Sequence, residues 1–319
     1  MISTTGLTKR FGKGEGSLLA LDNFTIEVEA GQVFGFIGPN GAGKSTTMKI
    51  LACLLRPDAG VAKVAGLDVT RDGAKIRRLI GYMPDFLGVY DDLTVDEYLQ
   101  FFAAAFSIPR SGRRAIVDQV LELTDLTSKK KAMVDSLSRG MQQRLGVARV
   151  LIHDPKVLLL DEPASGLDPR ARIEMRSLIT ELGRMGKTLM VSSHILTELA
   201  EMCTSIGIIE RGKLLYAGSI DDAFSRAKAA SQAGERVVVR LEPGSAAVEL
   251  VRARLEADHR VTRAQQTDDG LTIDLAPGEH GHHFLIEALI ASGARIASFE
   301  PQEMKLEDAF LKLTTGALQ

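Results

Sequence analysis

Two short stretches carry residue types whose spacing points to phosphate chemistry. The first, Gly38-Pro39-Asn40-Gly41-Ala42-Gly43-Lys44-Ser45-Thr46, fits the pattern GxxxxGK[ST]. Glycines let a backbone curl until successive N–H groups face one anion. A helix opening there adds the positive end of its dipole. Lys44 then supplies a mobile charge for outer phosphate oxygens, and Ser45 a hydroxyl for Mg²⁺. The second stretch, Val157-Leu158-Leu159-Leu160-Asp161-Glu162, is an apolar run ending in two carboxylates. A buried strand of that kind delivers its acids to the sheet edge where ligands bind in open α/β folds. Asp161 is expected to hold Mg²⁺ through water, because that ion sheds its hydration reluctantly. Glu162 is expected to orient and deprotonate an attacking water.

These residues need a scaffold, and the first two thirds of the chain read as one. Asn23 to Glu29 alternates with Phe24, Ile26 and Val28 on one face, which predicts a half-buried strand. Gln32 to Ile37 predicts a second strand entering the glycine loop, and Lys44 to Leu55 a helix stopped by Arg56-Pro57-Asp58-Ala59-Gly60. Thr94 and Glu97 have capping-box spacing ahead of a helix striped by Val95, Leu99, Phe102 and Phe106. Ser138 caps another, striped by Met141, Leu145, Ala148 and Ile152. Val157 to Leu160 and Lys187 to Ser192 read as parallel strands buried on both faces. Ile195, Leu199 and Met202 stripe the helix that follows. Strands alternating with helices predict an α/β layer with a mainly parallel sheet.

From about residue 235 the pattern changes. Val237, Val239 and Leu241 predict a strand, Val248, Val251 and Leu255 a helix, and Asp269-Gly270 a hairpin turn leading into Leu271, Ile273 and Leu275. A helix over Phe284 to Ile290, a strand over Arg295 to Phe299 and a closing helix with Leu306, Ala309, Phe310 and Leu313 complete the order β-α-β-β-α-β-α. That order predicts a small ferredoxin-like α+β module. Lys228 to Gly234 reads as a linker, so the expected division is 1–225 and 226–319.

Between the two phosphate-directed stretches lies Leu137-Ser138-Arg139-Gly140-Met141, and after them Ser165-Gly166-Leu167-Asp168 and His194. With these the first 220 residues resemble the nucleotide-binding subunit of an ABC transporter, a P-loop NTPase with an ABC-type β subdomain and a helical subdomain. The resemblance implies an ATPase with ATP and Mg²⁺ as cofactors. In it the Leu137–Met141 turn is the signature, with Arg139 in place of its first glycine and Met141 in place of its glutamine. Ser165 to Asp168 is the D-loop, and His194 is the switch histidine that contacts the γ-phosphate and helps place the water. Phe11 matches the aromatic that stacks on adenine. Tyr82-Met83-Pro84 leads to Asp85 where the family has its Q-loop glutamine, so Asp85 is expected as a metal ligand coupling the ATP site to a permease. Two subunits of the family face head to tail, with Ser138 and Gly140 of one closing over ATP held by the other. With one copy of each motif, this chain is expected to form a homodimer or to pair with a related subunit. Narrower likeness, in the Leu-Ser-Arg-Gly-Met form and the Leu306–Leu313 ending, is to exporter ATPases with a separate integral membrane permease. That places the chain on the cytoplasmic face of the cell membrane, and Asp85 through Phe102, with Phe86, Leu87, Val89 and Tyr90, is the expected docking surface. The alternative from another class is a soluble ABC-type ATPase without a transport role.

Composition removes other classes. Net charge is −2 across 319 residues, and a split at residue 225 uncovers no basic module, so a nucleic-acid partner is not expected. Hydrophobic residues make up 45%, which excludes a disordered chain. The Tyr98–Ile108 run is too short to span a bilayer, and the first residues lack a signal-peptide pattern. Cys53 and Cys203 read as free thiols of a reducing cytosol. Lys129 to Lys131 reads as a solvated turn, and His280, His282 and His283 lack the cysteines or carboxylates of a metal site.

Overall fold

In the computed structural model the parallel core forms where the apolar runs lie. Strand β3 (Val33–Ile37), β7 (Val157–Asp161) and β8 (Thr188–Ser193) are buried at every position. With β6 (Ile80–Met83), β9 (Ser205–Glu210) and β10 (Lys213–Ser219) they form a six-stranded sheet in the order β10-β9-β3-β8-β7-β6, antiparallel only at β10. The structure describes residues 1–12, 14–86, 88, 92–223, 236–242, 248–267, 269–276, 278 and 281–302. A second, antiparallel sheet has the order β2-β1-β4-β5, from β1 (Ile2–Phe11), β2 (Leu18–Val28), β4 (Ala59–Val64) and β5 (Leu67–Asp68). One apolar cluster joins the two sheets: Phe24 and Ile26 of β2 meet Phe34 and Phe36 of β3, with Met48 and Ile50 of α1 (Lys44–Leu51). The Phe24 and Phe36 rings lie 5.7 Å apart and tilted, a favourable aromatic geometry.

Several boundaries differ from the sequence expectation. The strand expected from Asn23 begins at Leu18: Asn23 takes a left-handed φ of 51° in mid-strand, and the register shift there puts the buried Leu21 out of phase with Phe24, Ile26 and Val28. Helix α1 stops at Leu51 rather than Leu55, since Cys53 adopts φ 58°, a conformation that ends a helix. Phe106 leaves the expected helical stripe: α3 (Val95–Ala105) ends before it, and its ring stacks on His153 at 3.9 Å. The Thr94–Glu97 capping box is present on both sides. Helix α2 (Gly73–Leu79) leads into β6. Three helices, α3, α4 (Arg110–Leu123) and α5 (Arg139–Leu151), pack on one another around the buried Tyr98 and Leu99 of α3, with Val117 and Leu121 of α4 and Leu145 of α5 buried beside them. The Ile195 stripe spans only a short α7 (Leu196–Ala200), with Leu199 and Met202 buried.

Contacts divide the chain into two compact units, Met1–Asp221 and Asp222–Gln319. The second holds β11 (Arg236–Leu241), α8 (Val248–Glu256), β12 (Val261–Thr267), β13 (Gly270–Leu275), α9 (His283–Ala291) and β14 (Ile296–Gln302). Its sheet order, β12-β13-β11-β14 with every pair antiparallel, is that of a ferredoxin-like domain. Val237, Val239, Leu271 and Ile273 of the sheet pack with Val251, Leu255, Leu285 and Leu289 of the helices in a core of their own. The expected linker over 228–234 and the closing helix with Leu306 and Phe310 lie outside the described residues, as do Leu87, Val89, Tyr90 and His280.

Candidate functional site at the carboxyl ends of the parallel strands

The glycine loop leaves β3 and re-enters the chain as α1, as the sequence predicts. Gly41 and Gly43 hold φ values of 81° and 115°, a region closed to ordinary L residues, and these two turns aim the loop at the start of α1. Pro39, Asn40 and Gly41 are exposed, Gly38 and Ala42 are buried, and Ser45 and Thr46 are half-buried in the first helical turn. Lys44 is 6% exposed. Its Nζ donates to the carbonyls of Gly38 (2.6 Å) and Pro39 (3.4 Å) and lies 3.3 Å from Glu162 Oε1. A cation is thus parked inside the loop that is shaped for an anion.

The acid pair sits two strands away. β7 pairs with β8 so that Asp161 faces Ser192 across the ladder. Ser192 Oγ donates to Asp161 Oδ1 at 2.6 Å and accepts from the Glu162 N–H at 2.9 Å. Asp161 is 2% exposed. Glu162 turns out of the strand at φ 50°, and this left-handed step carries its carboxylate back toward the loop. One oxygen, Oε1, faces Lys44; the other, Oε2, is 2.8 Å from His194 Nδ1. His194 follows β8 directly, so strand register alone brings it to Glu162. The structure therefore joins Lys44, Asp161, Glu162 and His194 into one cluster at the end of the sheet. Ser192, which no sequence motif singled out, is the group that fixes both acids.

Asp85 lies just past β6, the strand next to β7. Burial, and then the negative charges of Asp161 and Glu162, hold its carboxyl above its usual range, while Arg139 and His194 partly offset them. Among the described residues the Tyr82 hydroxyl is buried without a hydrogen-bond partner, and burial with the charges of Asp161 and Asp85 pushes it up as well. The oxygen donors Ser45, Asp161 and Asp85 are hard ligands of the kind Mg²⁺ takes. Among the described residues no three His, Cys, Asp or Glu side chains could hold a metal by themselves.

Two other expected groups come from β1 and from the start of α5. Phe11 ends β1 with its ring 40% exposed and the Lys9 ammonium 5.6 Å from its centroid. Ser138 is the N-cap of α5, accepting from the Met141 N–H at 3.4 Å. Gly140, expected with Ser138 to close over a partner's ATP, lies in the chain itself against Ala171 of α6 (Pro169–Arg184). Phe86, beside Asp85, is 85% exposed. Among the described residues no helix is long and apolar enough to cross a membrane.

Comparison with known proteins gives this arrangement a family. Residues 21–165 match the family model described as ABC transporter. The bacitracin transport ATP-binding protein BcrA of Bacillus licheniformis is 34% identical over 318 residues, covering 99% of this chain and 98% of that protein. The chain belongs to the ATP-binding subunits of ABC transporters. Another relative in that family is the probable multidrug ABC transporter ATP-binding protein YbhF of Escherichia coli (strain K12), 39% identical over 222 residues. This chain spans only 38% of YbhF's length, with 70% of its own. Among solved structures, the dimeric post-hydrolysis state of the ATP-binding cassette MJ0796 bound to ADP and Pi matches with a TM-score of 0.63 and 25% identity, over 69% of this chain and 98% of that one. CbiO1 from Clostridium perfringens, part of an ABC transporter complex, matches at 0.64 and 27%, over 72% and 92%. The α/β fold of this chain is thus that of an ABC ATPase cassette, a P-loop NTPase.

Proposed function

We propose that the chain hydrolyses ATP as the motor of an exporter, with 1–225 as the motor domain and 226–319 as an accessory domain. The observation that carries this reading is Glu162, whose two carboxylate oxygens are turned to Lys44 on one side and His194 on the other. In that position Glu162 takes a proton from a water lined up for in-line attack on the outermost phosphate, and His194 orients the same carboxylate. Lys44 leaves the Gly38 and Pro39 carbonyls for the phosphate oxygens, with the amides of Gly38 to Thr46 around them. Ser45, Asp161 and Asp85 would hold Mg²⁺, which would supply charge neutralisation on the phosphates. Phe11 offers its exposed ring to adenine.

ATP-driven pairing follows from the division of labour. By the family resemblance, Ser138 at the N-cap of α5 and Gly140 in its first turn serve the nucleotide held by the phosphate loop of a second subunit. The names of the relatives support transport: bacitracin transport for one and multidrug transport for another. A separate integral membrane permease is then the partner, met at the cytoplasmic face of the membrane through the surface around Asp85 and Phe86. Purification from membranes tests the partner, with a six-span protein expected to accompany the chain. Light scattering tests the pairing: the Glu162→Gln variant with ATP and Mg²⁺ should run as a dimer. A monomer under those conditions, with nucleotide bound, would sink the head-to-tail reading.

A further inference from the structure

The signature turn carries an arginine where the family has glycine, and the structure gives that arginine a place within its own chain. Gly166, in the D-loop, holds φ 65°. A Cβ built on it would stand 2.5 and 2.6 Å from the two terminal nitrogens of Arg139. The flat guanidinium therefore lies against the bare face of Gly166, and a side chain there would have to displace it. Arginine suits such a contact because its planar, weakly hydrated head stacks without losing its solvent-facing donors. One residue on, a Cβ on Gly140 would fall 2.7 Å from Ala171 Cβ, so the backbone of the turn is pressed onto the first turn of α6. Asp168 caps that same helix, accepting from the Ala171 N–H at 2.9 Å. The D-loop is tied in turn to the acid: the Ser165 N–H donates to the Glu162 carbonyl at 3.0 Å. An unbroken line of contacts runs from Arg139 through Gly166 and Ser165 to Glu162.

We infer that Arg139 is a positioning residue for the D-loop of its own chain, so that the turn closing over a partner's nucleotide and the turn beside its own Glu162 move as one body. A different reading of an arginine at this position, a charge reaching across to the partner's phosphates, makes the opposite assignment. In the cis assignment each chain reports the state of the partner's nucleotide to its own catalytic carboxylate through Arg139 and Gly166. The inference rests on the reading of the chain as half of a head-to-tail ATPase dimer.

Mixed dimers of two differently tagged full-length chains separate the two assignments. One chain carries Glu162→Gln, which silences the site built on its own phosphate loop, and the other keeps Glu162. Arg139→Gly is then placed either in the chain with intact Glu162 or in the silenced chain. Positioning in cis predicts that turnover with the change beside the intact Glu162 is at least fivefold slower than with the change in the silenced chain. KM for ATP is expected to stay within twofold in the slow arrangement, and the same change in the silenced chain controls for a general loss of folding. Gly166→Ala, pressing on the same contact from the other side, should slow turnover in the same arrangement, and the pair of changes in one chain should cost no more than about the larger single loss. Equal rates in the two arrangements, or slower turnover with Arg139→Gly in the silenced chain, would overturn the inference. The control dimer without an Arg139 change reads the dimer itself: if it does not turn over, the head-to-tail reading fails and this inference with it.

Discussion

The strand-end cluster and the junction of α5 with α6 are built on opposite principles. At the strand ends the proposed chemistry centres on the acid pair, where Asp161 is almost fully buried and Ser192 bonds both its Oδ1 and the Glu162 N–H. At the junction, Arg139, Gly166 and Asp168 are exposed, and the fit depends on missing side chains at Gly140 and Gly166 rather than on buried polar bonds. Buried, bonded groups cannot be rearranged cheaply, which suits residues that must be in place before a reaction starts. Contacts that rest on shape at the surface can be released and remade, which suits a face that must open and close on another subunit. On the readings proposed above, the difference separates the part of the molecule that performs chemistry from the part that signals it.

The largest expected effect tests the first half of that contrast. Glu162→Gln keeps the shape of the side chain and its contact with His194, but it removes the base. Steady-state phosphate release should fall by about 10²–10⁴-fold, the usual range for loss of a general base, while nucleotide binding persists. If turnover fell less than about tenfold, the base would have to be sought elsewhere, and the cluster would be a binding site only.

Ser192→Ala comes next. It strips the partner from Asp161 Oδ1 and from the Glu162 N–H in one step. An orphaned buried polar group costs about 1–3 kcal/mol, so thermal melting should fall by several degrees. Turnover should drop by about tenfold, because Glu162 loses the bond that fixes its left-handed turn. A fall in melting temperature with unchanged turnover would show that the acids are positioned by strand register alone.

How much of this was legible beforehand differs between the two regions for the same physical reason. Phosphate chemistry demands particular residues at particular spacings, so Gly38 to Thr46 and the Asp161–Glu162 pair are visible in the chain itself. Ser192 is not, because its role depends on the register that sets Asp161 opposite it, and a serine ending an apolar run looks like any other strand end. β1 went unread because Ser3, Thr4 and Thr5 break the apolar alternation, although Ile2, Thr4 and Leu7 are buried. α4 opens on Arg110, Ser111, Gly112, Arg113 and Arg114, and its three buried residues come late, so no stripe announces it. At the junction, spacing marked Arg139 as a departure from the family pattern, but only tertiary packing reveals that it covers Gly166. The accessory fold was legible as a strand and helix order from Val237 to Phe299, because that stretch alternates with the period of each element and carries its own core.

Smaller effects sharpen the contrast at the junction. Gly140→Ala drives a methyl to 2.7 Å from Ala171 Cβ, so the two helices must shift. Such overpacking costs about 1–3 kcal/mol, or roughly 2–4 °C in melting temperature per kcal/mol for a unit of this size. Ala171→Gly, combined with it, should restore most of the loss. Melting curves in which the second change adds a further loss would show that the two helices do not meet at this point in solution.

The smallest effect has the most defined sign. Asp85 is held above its ordinary range in the folded chain by burial and by Asp161 and Glu162, so its ionised form is less at home folded than unfolded. A raised carboxyl contributes its stability below the unfolded value and loses it as pH climbs through the folded value. Replacing it by asparagine should therefore raise the melting temperature slightly at neutral pH, and the gain should vanish as pH falls below the usual carboxylate range. The exposed position keeps the effect small, since solvent screens the repulsion. Adding Mg²⁺ and ATP should reverse the sign, because the same charge that is unwelcome beside two bare acids becomes a ligand once a cation shares their space. A stabilisation by Asp85→Asn that persists unchanged with Mg²⁺ and ATP would remove Asp85 from the metal site and leave Asp161 and Ser45 to hold the ion alone.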